Sequence, residues 1–297
     1  MKRKTISAVV ILVLFLLPAW TAPVRSQAWI FGKNKVQYDQ FDWNILHTPH
    51  FDIHFSDGYR DLAARTGVIL EDGYRDVSSN LMHNVKWRIP VILYGSHSAF
   101  QQTNTTWSFI PEGVQAFAEP NRRRIVLHFG GDNTDYRNTA VHELIHIFEF
   151  DIIYGNLLRS VFSRSLLFRI PLWLAEGCSE YYSKGFDDEG DMFMRDATIF
   201  DYIPGNLDYT GGYMVYKAGQ SVIDYIVKTY GNRKVVDIMR RLRETRSIDT
   251  ALRETIGLST SELTEEWSKY LRRRYWPMYA DKDAPEKVGR RLTDHME

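Results

Sequence analysis

The segment His142-Glu143-Leu144-Ile145-His146 constrains the fold more than any other part of the chain. Residues four apart on an α-helix lie on one face, so both imidazoles can reach a single metal ion if this segment is helical. Neutral imidazole is a good zinc ligand, and two such ligands need a third to form an open catalytic site. Glu143 lies beside the first histidine, where its carboxylate can act on a metal-activated water. The segment therefore predicts a buried helix that presents a zinc site.

A second apolar segment offers the third ligand. The first motif alone is only suggestive, because two core histidines beside a surface glutamate would have the same spacing. In the segment PLWLAEGCSEY (171–181), Glu176 and Glu180 lie four residues apart, and a buried carboxylate is costly unless it is paired or bound to metal. We predict that Glu176 is the third zinc ligand and that Glu180 holds the free N–H of a ligating histidine. The alternative is two solvated glutamates on an amphipathic helix.

HELIH followed by WLAEGCSEY resembles the gluzincin metallopeptidases, in the branch known as peptidase MA-like domains. The resemblance implies a zinc-dependent enzyme that hydrolyses peptide bonds in a peptide or protein substrate. It implies that His142, His146 and Glu176 bind Zn²⁺ and that Glu143 is the general base for a metal-activated water. The rival interpretation is a non-catalytic zinc-binding scaffold or interaction module that keeps a peptidase fold.

The linker between the second histidine and the proposed third ligand is longer than in the better-known aminopeptidase relatives. Residues 147–175 form it, and the extra length implies an insertion. Its segment 157–169 is apolar and punctuated by arginines. We expect a lid, a helix that contacts a membrane surface, or an additional packed helix there.

A tyrosine is expected to complete the catalytic set. The segment YKAG (216–219) resembles a Tyr-Glu-Lys-Gly stretch of the aminopeptidase relatives, whose tyrosine stabilises the oxyanion. The resemblance implies this role for Tyr216, because a phenol can donate a hydrogen bond to developing negative charge. Tyr209 and Tyr213 are the alternatives.

The segment GVQAFAE (113–119) corresponds to the edge strand that pairs with an extended substrate in these relatives. Strand addition supplies backbone hydrogen bonds with little demand on sequence. Gln115, Ala116 and Phe117 are therefore predicted to bind substrate. Glu119 aligns only loosely with the glutamate that holds the substrate amine in aminopeptidases, so aminopeptidase activity is not implied.

Hydrophobic periodicity predicts strands first and helices afterwards. Short apolar or alternating runs, ended by glycine or a turn, predict four strands, at 51–55, 89–95, 113–118 and 124–129. Helical spacing predicts a helix over 61–81, the active-site helix capped by Asn138 or Thr139 and ending near Phe150, and further helices beyond it. Gly231 is predicted to separate two of these, and a last helix is predicted to begin at the capping box of Ser259 and Glu262 and to end at Pro277. The fold class is α+β, of the zincin type.

The N-terminus has the three parts of a secretory signal peptide. A basic start precedes the apolar run Ile6 to Leu17, and small residues lead to a cut after Ala28. We expect an exported, periplasmic or secreted protein with the signal peptide 1–28, and the alternative is a retained anchor helix. The peptidase domain would be 29–297, with an α/β subdomain over 29–150 and a helical subdomain over 151–297.

Composition excludes several other classes. The chain has 37 basic and 37 acidic residues, and this balance argues against a nucleic-acid partner. One cysteine, Cys178, can form neither an internal disulfide nor a cysteine-based zinc cluster. The segments HTPHFDIHF, DMFMRDA and RRYWP resemble exported bacterial proteins in which the peptidase MA-like domain precedes a TolB-like β-propeller. We therefore expect a missing C-terminal domain, a propeller partner or a stand-alone member.

Overall fold

The computed structural model describes residues 38–106, 110–155, 169–283 and 285–290. The chain divides into two compact units, Met1–Tyr38 with Gln102–Ile110 and Asp39–Gln101 with Pro111–Glu297. All helices and strands that the structure describes belong to the second unit. The predicted signal peptide and residues 157–168 of the predicted membrane-contact segment lie outside the described residues. Within the described ranges, no helix has both the length and the apolar composition needed to span a bilayer.

A small five-stranded sheet occupies the N-terminal half of the second unit. Its strands are β1 (Trp43–His47), β2 (Phe51–Ser56), β3 (Ile89–Tyr94), β4 (Ala116–Glu119) and β5 (Arg124–His128). The order across the sheet is β1-β2-β3-β5-β4, in which β2, β3 and β5 run parallel and the two outer strands run antiparallel. The four predicted strands are confirmed. β1 was not predicted, because an edge strand that is mostly exposed carries no alternation of apolar and polar residues.

Helices make up most of the remainder. They are α1 (Arg60–Leu81), α2 (His97–Gln101), α3 (Asn133–Tyr154), α4 (Leu172–Lys184), α5 (Asp188–Ile199), α6 (Met214–Tyr230), α7 (Asn232–Thr245), α8 (Ile248–Ile256), α9 (Thr260–Tyr279) and α10 (Pro285–Val288), with a 3-10 turn at Leu207–Tyr209. This mixed α/β architecture confirms the predicted order of strands before helices at a coarse level. The subdomain boundary at 150/151 stays a prediction, and α3 runs through that position.

Two predicted helix ends are wrong. The cap of α3 is Asp132, whose carboxylate accepts hydrogen bonds from the backbone N–H groups of Thr134 and Asp135 at 2.7 and 2.8 Å. Asp132 has the extended backbone that a capping residue needs, whereas Asn138 and Thr139 lie inside the helix. α9 begins at the predicted capping box, but it continues past Pro277 to Tyr279. A proline this close to a C-terminus removes one backbone hydrogen bond without ending the helix.

The helix α3 is buried on most of its surface. Leu144, Ile145 and Phe148 are fully buried in the core, and the helix contacts β4, β5, α1, α4 and α7. Its other face carries His142 and His146 towards α4. Burial against both the sheet and the later helices holds the two histidines in a fixed position and limits the water around them.

Helices α4 and α6 approach each other closely at a pair of glycines. A Cβ atom added to Gly177 would lie 2.5 Å from the backbone carbon of Gly219, and one added to Gly219 would lie 2.5 Å from the carbonyl oxygen of Trp173. Only glycine permits this contact between two helix backbones. The contact brings Tyr216 and Lys217, which lie just before Gly219 on α6, next to the glutamates of α4.

Candidate metal centre and cleft

Three side chains converge between α3 and α4 in the manner expected of a metal site. The Oε2 atom of Glu176 lies 3.2 Å from Nε2 of His142 and 3.5 Å from Nε2 of His146, and the possible ligand atoms of all three residues lie within 4.8 Å of one another. Two ligand atoms that each lie about 2.1 Å from a tetrahedral zinc ion are separated by roughly 3.4 Å. The two separations from Glu176 fit that ion, and the donor set of two imidazoles and one carboxylate suits it.

The second nitrogen of His142 faces a carboxylate. Nδ1 of His142 lies 3.4 Å from Oε1 of Glu180, so the structure places Glu180 where the sequence predicted a partner for a ligating histidine. The other oxygen of Glu180 lies 3.2 Å from Nζ of Lys184 and 3.3 Å from Nζ of Lys217. Lys217 is only 1% exposed, and its Nζ also lies 2.8 Å from Glu189. This ion-pair network fixes the carboxylate that contacts His142.

The partner of His146 was not predicted. Nδ1 of His146 lies 2.9 Å from Oε2 of Glu149 and 3.1 Å from Oγ of Ser179. Glu149 is fully buried, and burial raises the pKa of its carboxyl to about 7. The signal in the sequence was a glutamate inside the apolar run IFEF, three residues after His146. Glu149 resembles Glu176 in this respect, because a carboxylate inside an apolar run is costly to bury unless it is paired.

The electrostatics of the cluster favour an ionised third ligand. Burial acts to raise the pKa of Glu176, but hydrogen bonds with His142 and His146 outweigh it and lower that pKa to about 2. Burial also acts to lower the pKa of His142, and the carboxylates of Glu176 and Glu180 outweigh it and raise that pKa. Burial likewise acts to lower the pKa of His146, and the carboxylates of Glu149 and Glu176 outweigh it and raise that pKa.

Glu143 and Tyr216 face the same cleft. Glu143 is buried, burial raises the pKa of its carboxyl, and it accepts a hydrogen bond from the backbone N–H of Ala118. Tyr216 is 36% exposed, and its ring stacks on that of His142 with the centroids 6.3 Å apart. Burial and the nearby charge of Glu176 raise the pKa of Tyr216 to about 12, so its hydroxyl keeps its proton. A protonated phenol beside the cluster is able to donate a hydrogen bond.

The two alternative tyrosines are placed less favourably for contact with a reacting group. The hydroxyl of Tyr213 donates a hydrogen bond to Glu189, and Tyr209 is 88% exposed. Tyr216, by contrast, lines the cleft on both sides of the group of His142, His146 and Glu176. Its position favours Tyr216 over the other two, and its role stays a prediction.

The predicted substrate-binding residues lie on or beside β4, an edge strand of the sheet. The backbone oxygen of Gln115 accepts a hydrogen bond from the N–H of His128 on β5. In an antiparallel strand, the backbone N–H and C=O groups of successive residues point to alternate sides. Those of Gln115 and Phe117 therefore point towards β5, whereas those of Ala116 and Ala118 point away from it. Ala116 therefore presents its backbone groups to the cleft that it lines, and Ala118 uses its N–H to bind Glu143. Glu119 is bound to Arg124 at 2.5 Å, which gives no support to the amine-binding role of the aminopeptidase glutamate.

The cleft has two lobes that meet beside the group of His142, His146 and Glu176. Both are lined by Ala116, His142, Glu143 and Tyr216. One, the polar lobe, has a volume of about 530 Å³ and is further lined mainly by polar and charged side chains, namely Gln115, Asp135, Asn138, Thr139, Glu180, Ser183, Lys184, Glu189, Tyr213 and Lys217. The other, the apolar lobe, has a volume of about 490 Å³ and is further lined mainly by Phe117, Ala118, Phe150, Tyr154, Ile170, Leu172 and Ala175, with His146, Arg169 and Glu176.

Comparison with protein families identifies the fold that carries this site. The family profile described as Peptidase MA superfamily matches residues 79–273, about two thirds of the chain. The chain belongs to the Peptidase MA superfamily. No curated protein matches it. The matched range of this Peptidase MA domain contains His142, Glu143, His146, Glu176 and Tyr216.

Membership of the Peptidase MA superfamily points to a peptidase. Enzymes of this superfamily typically depend on a metal, and the group of His142, His146 and Glu176 offers suitable ligands for one. The predicted relation to peptidases is confirmed at this level.

Proposed function

We propose that this protein is a zinc-dependent peptidase of the gluzincin type. The observation that carries the proposal is the convergence of His142, His146 and Glu176 at separations that suit tetrahedral zinc. In this arrangement each Nε2 would bind the ion and each Nδ1–H would be donated to a carboxylate, that of Glu180 or Glu149. Such carboxylate partners fix the orientation of a ligating imidazole and increase its basicity.

Zinc, when bound, polarises the scissile carbonyl and lowers the pKa of water. Glu143 is the residue that would accept the proton of the attacking water, because its carboxylate lies on the same turn as His142 and lines both lobes of the cleft. Burial raises the pKa of Glu143, which makes it a better base than an exposed glutamate. The same carboxyl group would then return the proton to the leaving amine.

Tyr216 and β4 would position the substrate. The hydroxyl of Tyr216 would donate a hydrogen bond to the negative charge that develops on the carbonyl oxygen. The outward backbone groups of Ala116 would pair with an extended peptide, with Gln115 and Phe117 on either side of it. Water is limited around the cluster because α3 is buried between the sheet and α4.

We further propose that the enzyme acts in the cell envelope or outside the cell, and that it works with a TolB-like β-propeller, as a partner or as a further domain. The support is the pattern of a signal peptide over 1–28 and the resemblance of three segments to exported proteins of that organisation. The segment 157–169 stays a candidate for membrane-surface contact.

A Glu143→Gln variant tests the catalytic part of the proposal. Peptide-library digestion by the zinc-loaded protein should be abolished by a chelator and by Glu143→Gln, whereas zinc should still bind at one ion per chain. Glu265→Gln is the matched control, because Glu265 is an exposed carboxylate on α9 whose pair with Lys269 is a surface contact, and it should leave cleavage unchanged. Full activity of Glu143→Gln would refute the mechanism. Zinc binding without any cleavage by the unmodified protein would favour the non-catalytic scaffold.

A further inference from the structure

The two outer strands of the sheet are placed very differently. β4 lines the cleft beside the group of His142, His146 and Glu176, whereas β1 forms the opposite edge of the sheet. Every residue of β1 is exposed except Leu46, which is half-buried. The proposed function makes no use of this exposed edge.

The backbone groups of alternate residues of β1 point away from the sheet. At one end of its ladder with β2, the oxygen of Asp42 accepts a hydrogen bond from the N–H of Asp57 at 3.2 Å. At the other end, the N–H of Thr48 donates to the oxygen of Phe51 at 2.9 Å. Antiparallel pairing alternates in direction, so the even-numbered residues between these ends also face β2. The odd-numbered residues turn their N–H and C=O groups outwards, and these residues are Trp43, Ile45 and His47. Among the described residues, no further backbone group hydrogen-bonds to them.

β1 lacks the features that keep an edge strand from pairing with another chain. Such features include proline or lysine within the strand, other charged side chains, and a bulge that twists the edge away. The sequence WNILH contains no proline, lysine, arginine, aspartate or glutamate. Its pairing with β2 runs from Trp43 to His47 without a bulge. In the part of the chain that the structure describes, this edge is therefore open to a further strand.

The side chains that accompany the outward backbone groups form a partly apolar surface. Trp43 and Ile45 are 42% and 49% exposed, and with His47 they lie on the face of the sheet that α1 and α3 do not cover, because the intervening residues face the core. The ring of Trp43 lies 5.6 Å from that of Phe41 and 5.5 Å from that of Tyr94, measured between centroids. These contacts hold the indole in place while part of it stays exposed beside the open edge.

The edge of β1 is complementary to itself. When two copies run antiparallel about a two-fold axis through Ile45, the two Ile45 side chains face each other, and each Trp43 lies opposite His47 of the second copy. All outward N–H and C=O groups of β1 are then paired, and no like charges lie opposite each other. A shift of the axis by one residue towards the turn before β2 would place Trp43 opposite Pro49, which has no N–H.

We propose that two copies of this chain associate by antiparallel pairing of β1 about Ile45 and form a continuous ten-stranded sheet. The contact uses the same surface of both copies, so each β1 edge is used once and assembly stops at the dimer. β4 lies at the other edge of each sheet, so both clefts stay open. The dimer requires neither a bound metal nor peptidase activity, and its test is separate from that of the proposed function.

Analytical ultracentrifugation of the protein expressed from the full sequence measures the association, with and without a chelator. The mass should rise from that of one chain to that of two between roughly 1 and 200 μM, because an interface built on one strand edge is small and weak. Ile45→Lys should weaken the association about 10-fold or more, because it places like charges directly opposite each other at the axis. Met192→Lys is the matched control, since Met192 is 56% exposed on α5, and it should leave the association unchanged. A monomer at every concentration, assembly beyond two chains, or an equal effect of the two variants would overturn the proposal.

Cysteine cross-linking tests the position of the axis. Opposite residues in a hydrogen-bonded antiparallel pair have Cα atoms about 5.5 Å apart, which a disulfide can bridge. Ile45→Cys should therefore give a disulfide-linked dimer on mild oxidation, and the one native cysteine, Cys178, is buried. Asn44→Cys is the control on the same edge, because its two Cα atoms would lie roughly 8 Å apart, too far for a disulfide. Failure of Ile45→Cys to cross-link, or an equal yield from Asn44→Cys, would overturn pairing about Ile45 even if the protein is a dimer.

Discussion

Replacing Gly219 by alanine tests whether the glycine contact between α4 and α6 builds the active site. The added Cβ would lie 2.5 Å from the carbonyl oxygen of Trp173 and 2.8 Å from the α-carbon of Gly177, whereas ordinary contacts begin near 3.4 Å. The clashing atoms belong to the backbone, so no rotamer change relieves the overlap. The two helices must therefore separate by about 0.9 Å at this point.

The expected loss of stability combines two opposing effects. Overpacking of a core costs about 1–3 kcal/mol, and backbone clashes place this case near the upper value. Alanine is about 1 kcal/mol better than glycine within a helix, which offsets part of the cost. A net loss of about 2 kcal/mol corresponds to a fall in Tm of roughly 4–8 °C for a protein of this size. Activity should fall further, because a displacement of about 1 Å of a catalytic group can cost 100-fold in rate, and Tyr216 moves with α6.

Thermal unfolding by circular dichroism and peptide cleavage rates measure both effects. Gly205→Ala is the control, because a Cβ at that position meets no atom within 4 Å and Gly205 does not have a left-handed φ; its Tm and rate should match those of the wild type. If Gly219→Ala shows the same Tm and cleavage rate as Gly205→Ala, the helix contact does not position the site, and the reasoning is refuted.

Three further predictions concern the metal site and its helix. Glu149→Gln should weaken zinc binding about 10-fold to 100-fold, measured by competition with a chromophoric chelator, and equal affinity would remove Glu149 from the site. Zinc affinity should fall as the pH is lowered from 8 to 6, by about tenfold per pH unit for each proton displaced. The reason is that neighbouring carboxylates, against the effect of burial, raise the pKa values of His142 and His146, so their protons compete with zinc up to a higher pH; a flat profile would contradict this. Asp132→Ala should lower the free energy of unfolding by about 1 kcal/mol through loss of the α3 cap, whereas Asn138→Ala, inside the helix, should not.

Local spacing in the sequence predicted that His142, His146 and Glu176 would lie together, and the structure brings them within 4.8 Å of one another. A helix repeats every 3.6 residues, so the four-residue spacing of His142 and His146 places both on one face wherever that helix lies. Glu176 and Glu180 were also candidates from the local sequence alone, because a carboxylate inside an apolar run is costly to bury unless it is paired. Glu149 lies in an apolar run of the same kind.

Contacts between distant segments decided the features that the sequence did not predict. β1 is an exposed edge strand, and the true cap of α3 depends on the backbone conformation of Asp132. Hydrophobic periodicity reveals neither of these features. The close approach of Gly177 and Gly219 joins two helices whose separation in sequence gives no sign of it. The sequence by itself determined which residues can bind a metal and act as a base, because those properties belong to side chains at short spacing. Only the tertiary structure decided that the cleft has one polar and one apolar lobe, because their walls come from β4, α3, α4 and α6, and no local pattern records which of these elements meet.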